Sequence, residues 1–112
     1  MPKPRIRTYS NYAIHAAILL GKKIKLGRKQ RRWTEQELAE RIGISRGTLK
    51  KIEKGDMRCE IGLVFEAATL VGVPLFDQDL SRITMDIDRT DDKLALLPRS
   101  IRKSSPEVDD DF

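Results

Sequence analysis

Residues 33–55 constrain this chain more than any other stretch, because both ends of two successive helices are written into them. Thr34-Glu35-Gln36-Glu37 has the form of a capping box. The Thr34 hydroxyl accepts from the third helical amide, and Glu37 reaches back to the amide of Thr34. Leu38, Ala39 and Ile42 then share one face at helical spacing. Gly43 stops this helix, since positive φ is easiest for glycine. Two residues later Ser45 offers a new N-cap. Leu49 and Ile52 continue an apolar face, and Gly55 closes it. The spacing predicts helices over 35–42 and 46–54, joined by a tight Gly43-Ile44 turn.

The flanking sequence extends the helical pattern. Residues 1–9 carry two prolines with Lys3, Arg5 and Arg7, and read as a flexible basic arm. Ser10 or Asn11 can cap a first helix over about 11–31, with Ile14, Ala17, Ile18, Leu20 and Ile24 on its apolar face. Basic residues crowd its far end and suit the negative end of the helix dipole. A fourth helix is predicted over 61–71, with Leu63, Val64, Ala67, Ala68 and Val71 inward and Gly72 at its end. Pro74 fits the first position of a fifth short helix containing Leu75, Phe76 and Leu80. Ile83, Met85 and Ile87 alternate like a strand, yet Leu80, Ile83, Ile87, Thr90, Leu94 and Leu97 also fit a heptad. Sixteen residues without Gly or Pro are long for a strand, so 82–97 is read as helix. Residues 98–112, poor in apolar side chains, are expected to be disordered unless bound.

Charge divides the chain. Residues 1–58 hold 16 Lys/Arg and 5 Asp/Glu, a net of +11, whereas residues 59–112 hold 6 and 12, a net of −6. The split suggests two kinds of partner, and the basic half suits a polyanion. Other classes are disfavoured. A single cysteine cannot form an internal disulfide, and one histidine with one cysteine is too few for a His/Cys zinc site. No calcium-type loop accompanies the acidic runs, so neither metal nor cofactor is expected. No apolar run reaches membrane-spanning length and the N-terminus does not read as a signal peptide, which points to a reducing cytoplasm and, for a DNA binder, association with the nucleoid. No catalytic residues are expected: Cys59 has no histidine near it in sequence, and His15 reads as an exposed or half-buried helix residue. An RNA-binding module would want an exposed aromatic stacking platform, which the sequence lacks. Trp33 falls at the position before the Thr34 cap, where it would pack beneath the second helix.

Two short helices joined by a glycine-containing turn match a helix-turn-helix, in which the second helix puts its N-terminal side chains into the major groove of DNA. The stretch Gly21–Phe76 resembles the lambda-repressor-like, or XRE, family. The carrying residues are Gly21-Lys22-Lys23-Ile24, the whole run Trp33–Gly55, and Leu70-Val71-Gly72-Val73-Pro74-Leu75. The resemblance implies an all-α, five-helix lambda-repressor-like domain over 10–80, extended by a C-terminal helix over 81–97 and a flexible acidic tail over 98–112. It also implies that Ser45, Arg46, Gly47 and Lys50 face the groove. Arg46 would pair with guanine O6 and N7, and Gly47 would let the backbone approach. Thr48 would either sit at the helix–helix contact or touch a thymine methyl. Gln36, Lys51, Lys54, Arg28 and Arg32 are candidates for phosphate contacts, which set register rather than sequence. Arg46 could instead pair with Glu53 or another neighbour. Family members commonly have Gln where Glu35 stands and Leu where Gly27 stands, so a contact at 35 and the packing of the first helix are expected to differ.

Asp92–Lys103, together with the closing Val108-Asp109-Asp110-Asp111-Phe112, resembles HipB-like antitoxins. That resemblance implies an antitoxin and autorepressor, a homodimer on a palindromic double-stranded operator, and a HipA-like serine/threonine kinase as protein partner. Asp109, Asp110 and Asp111 would steer the tail, and Phe112 would anchor it. The alternative is a stand-alone XRE-family regulator whose tail only solubilises.

Overall fold

The first helix, α1, starts where the Ser10 hydroxyl accepts the Ala13 amide and runs Asn11–Gln30. The computed structural model describes residues 7–101. After α1 come α2 (Glu35–Ile42), α3 (Arg46–Lys54) and α4 (Ile61–Leu70), then a 3₁₀ turn at Leu75–Asp77, and finally α5 (Leu80–Ala95). Among the described residues there is no strand. The architecture is all-α, and the ambiguous stretch is helical rather than extended as far as Ala95. Asp79 caps α5 by accepting the Arg82 amide at 2.9 Å, which sets its start two residues earlier than expected.

Helix ends account for much of the local order. The capping box of α2 is complete: the Glu37 amide donates to Thr34 Oγ1 and the Thr34 amide donates to Glu37 Oε1, both at 3.0 Å. α1, α3 and α4 each finish with a paired set of bonds that takes up two otherwise orphaned carbonyls. At α3, Gly55 donates to Ile52 and Asp56 to Lys51. At α4, Gly72 donates to Thr69 and Val73 to Ala68. At α1, Arg32 donates to Lys29 and Trp33 to Arg28. The pivot residue must be left-handed, and Gly43, Gly55 and Gly72 supply this for α2, α3 and α4. At the end of α1 the pivot is Arg32, with φ of 60°.

The expected fifth short helix is not an α-helix. Phe76 adopts φ 56°, outside the helical region, so the segment after Pro74 closes as a single 3₁₀ turn. Only a few residues separate Gly72 from the Asp79 cap, too few for a second full turn.

The chain divides into two compact units with the boundary after Asp77. In the first unit, Ile24 of α1, Leu38 and Ala39 of α2, Leu49 and Ile52 of α3, and Ala67, Ala68 and Val71 of α4 and its cap form the core. Trp33, Ile42, Ile44, Leu63 and Val64 pack against them half-buried. α1 reaches that core through two glycines. A Cβ on Gly21 would lie 2.7 Å from the carbonyl oxygens of Ile52 and Glu53, and one on Gly27 would lie 2.8 Å from that of Val71. No larger residue fits such backbone contacts without moving a helix. Close approach of the end of α4 is thus the physical reason a glycine suits position 27. The second unit contains α5, and that helix buries none of its residues.

Candidate nucleic-acid interface

Ser45 begins the site. Its hydroxyl accepts the Thr48 amide at 3.1 Å and lies 2.9 Å from Thr48 Oγ1, so one side chain caps α3 and fixes the rotamer of the next. From that cap, α3 winds at about 100° per residue. Leu49, Ile52 and Glu53 take the buried side. Arg46, Gly47, Lys50, Lys51 and Lys54 take the other, and all five are exposed. Sequence order alone therefore lays four cations and one glycine along an open arc. Lys51 and Lys54 lie in the last turn, where the helix dipole favours positive charge.

The candidate base-reading residues stand together at the start of α3. Ser45, Arg46, Gly47 and Lys50 are exposed, and Thr48 is half-buried against Ser45. Arg46 is paired, but with Glu35 of α2 rather than with Glu53: its Nε lies 3.4 Å from Glu35 Oε1. The pair bridges the first turns of α2 and α3. The Arg46 side chain keeps 56% exposure, so the guanidinium stays within reach of a ligand.

The candidate phosphate contacts separate into two groups. Gln36, Lys51, Lys54 and Arg32 are exposed, with Gln36 donating to Glu40 at 3.2 Å. Arg28 is not a surface residue. It is 6% exposed, and its guanidinium donates to both oxygens of Glu53 and to the Trp33 carbonyl. Its fourfold spacing from Ile24 turns it inward, and the Glu53 hydrogen bonds hold its pKa above the ordinary value. Its chemistry is spent inside the fold, which corrects its assignment to phosphate.

Two residues of structural weight escaped the sequence reading. Arg31 donates through Nη1 to the Val71 carbonyl and clamps the end of α1 to the end of α4. Arg41 stacks on Trp33 with its Cζ 4.2 Å from the ring centroid, a cation–π contact that covers the half-buried indole. Arg41 lies eight residues after Trp33 with a helix start between them, so no spacing rule pairs them. Next to α3, Arg58 grips Asp56 through its amide at 2.8 Å and its guanidinium at 3.3 Å. That contact holds the Asp56 carboxyl below its usual range. Burial pushes the neighbouring Cys59 thiol up, away from the thiolate a nucleophile needs.

Among the described residues, no helix is long and apolar enough to cross a membrane, and no group of three or more His, Cys, Asp or Glu side chains is arranged to hold a metal ion. The tail residues Asp109, Asp110, Asp111 and Phe112 lie outside the described residues.

Comparison with known proteins agrees with this geometry. Residues 24–77 match the family model described as Helix-turn-helix. No curated protein and no solved structure matches the chain. The match begins at the first core residue of α1 and ends with the 3₁₀ turn, and it contains the whole α2–α3 pair. The segment that exposes Arg46 and Lys50 thus matches a helix-turn-helix domain, which supports a DNA-binding transcriptional regulator.

Proposed function

We propose that the chain is a sequence-specific transcriptional repressor that binds a palindromic operator as a homodimer. The observation that carries this reading is the exposed arc of α3, in which Arg46, Gly47 and Lys50 stand at the N-terminal end of a capped helix. Arg46 reads a guanine, Lys50 reaches a base edge, and Gly47 lets the backbone come close. Gln36, Lys51, Lys54 and Arg32 hold phosphates and fix the register. Half-sites then fall about 34–36 Å apart, one helical turn, or a multiple of it.

The regulated operon is its own, and the second partner is a HipA-like serine/threonine kinase, so that the protein acts in the cytoplasm as antitoxin and autorepressor. Supporting this is the resemblance of the C-terminal sequence to HipB-like antitoxins and the sign change from +11 to −6 along the chain. Asp109–Asp111 steer the tail to a basic groove and Phe112 anchors it.

Two assays of one protein test both parts. Duplexes selected from a random pool should bind steeply less well as salt rises, because phosphate contacts release counterions. A salt-independent titration removes the DNA reading. Deleting Val108–Phe112 should leave duplex binding intact or slightly tighter and should weaken capture of a HipA-like kinase. Kinase binding unchanged by the deletion would make the tail a solubilising extension and put the contact on the folded domain; no kinase binding by the full chain leaves a stand-alone regulator.

A further inference from the structure

Of the four cations on the exposed arc of α3, Arg46 alone forms an ion pair among the described residues. Its partner, Glu35, is the first residue of α2, as Arg46 is the first residue of α3. Glu35 is the less mobile member, with a side-chain exposure of 27% against 56%. The other carboxylates of α2 are engaged elsewhere: Glu37 closes the capping box and Glu40 accepts from Gln36. The half-buried acid therefore sets where the exposed guanidinium stands.

The contact lies on the Nε side of Arg46, 3.4 Å from Glu35 Oε1. A guanidinium carries five N–H donors in a rigid planar fork. With Nε turned towards Glu35, the outer edge formed by Nη1 and Nη2 stays open, and such a pair of donors meets guanine O6 and N7 together. Charge favours the same target. Phosphates outnumber guanines on any duplex, and a bare cation is drawn to all of them alike. A cation beside a carboxylate loses much of that attraction, and the carboxylate itself repels phosphate. The N–H donors keep their directions, so hydrogen bonding to an uncharged base edge survives.

We infer that Glu35 is a positioning residue for base reading: it holds Arg46 off phosphate and leaves its outer edge for guanine, and so sets the margin between operator and random DNA. This deepens the DNA reading above and rests on it. A glutamine at position 35 would lack the charge that does this.

Full-length wild type, E35Q, R46A and E35Q/R46A, titrated over a range of salt against a duplex selected from a random pool and against random duplex, test the inference. E35Q keeps the side-chain shape and leaves the Thr34–Glu37 capping box in place. It should tighten binding to random duplex about fivefold. Binding to the selected duplex should tighten less, so that the margin narrows. The released Arg46 should take one phosphate, which steepens the salt slope on random duplex by about 0.9. In the R46A background E35Q should produce neither change, because Glu35 acts through Arg46. The same tightening in that background would make Glu35 a repelling charge only, and overturns the inference. A margin narrowed by R46A but untouched by E35Q means that Arg46 finds its base unaided, and overturns the positioning role alone. A margin untouched by R46A overturns the base-reading role of Arg46 and the inference with it. Absence of any salt-dependent duplex binding by wild type overturns the DNA reading itself.

Discussion

Arg28 and Glu53 form a two-pronged buried ion pair between α1 and α3, with Nε to Oε2 at 2.7 Å and Nη2 to Oε1 at 3.1 Å. The two side chains are only 7% and 4% exposed. The pair ties the first helix to the buried side of α3, whose opposite side is the exposed arc of Arg46, Gly47 and Lys50. The third Arg28 bond, to the Trp33 carbonyl at 2.8 Å, secures the turn leading into α2. One side chain therefore joins three helical elements.

Removing one partner of such a pair leaves an uncompensated buried charge, at a cost of about 3–5 kcal/mol. R28A should therefore destabilise the first unit by that order. The single tryptophan, Trp33, is the fluorescent reporter, read in a urea titration. An apolar replacement of both partners, R28M/E53L, should recover most of the loss, since it buries no charge. A small effect of R28A on stability, or a loss of duplex affinity in the folded protein, would restore Arg28 to the phosphate-contacting set.

Acid should attack the α2 cap. The Thr34 amide, and then its hydroxyl, hold the Glu37 carboxyl below its ordinary pKa. Arg58 does the same to Asp56. A carboxylate lowered in this way contributes stability in full above its unfolded pKa, about 4. That stability is lost as pH falls through the lower, folded value. The melting temperature should therefore decline below about pH 4, and E37Q should flatten part of that decline. Superimposable pH profiles for wild type and E37Q would show that the cap contributes nothing through its charge.

Arg32 stands in a left-handed conformation where α2, α3 and α4 place glycine. A residue with a Cβ gives up about 1–2 kcal/mol in that region. R32G should therefore raise stability by about 1 kcal/mol in the same urea titration, offset in part by the greater freedom of glycine in the unfolded chain. It should also lower duplex affinity alike for all sequences, if Arg32 holds a phosphate. Stability gained without affinity lost would mean that the position serves the turn only.

Arg46 is shared between Glu35 and the open face. R46A should cost about 1–3 kcal/mol of binding and relax preference at one base pair per half-site, whereas K51A should weaken all sequences nearly alike. E35Q should strengthen binding, because it frees the guanidinium and removes a negative charge from the face proposed to meet DNA. Competition between selected and random duplexes measures all three. Equal loss of specific and non-specific binding by R46A would mean that Arg46 does not read a base.

Local chemistry determined the helices. Capping residues and terminal glycines act within a turn of where they stand, so α2 and α3 lie over the residues their caps define. The same locality put Arg46, Gly47 and Lys50 on one exposed arc, since helical periodicity decides that before any packing occurs. Features that depended on distant parts of the chain were not legible. Arg28 looked like one more cation in a basic run, and only the arrival of Glu53 from α3 makes it a buried residue. Gly21 and Gly27 looked like weak points of a helix until α3 and the end of α4 came within contact distance of their Cα atoms. Arg46 had an acidic neighbour in sequence at Glu53, yet took Glu35, because the turn at Gly43 brings the first turns of α2 and α3 side by side. Phe76 lies two residues after a proline that favours a helical start, yet it is left-handed and the segment closes as a 3₁₀ turn. Caps and periodicity are short-range effects that a sequence states outright. Ion pairing and close backbone packing need two surfaces to meet, and only the folded chain brings them together.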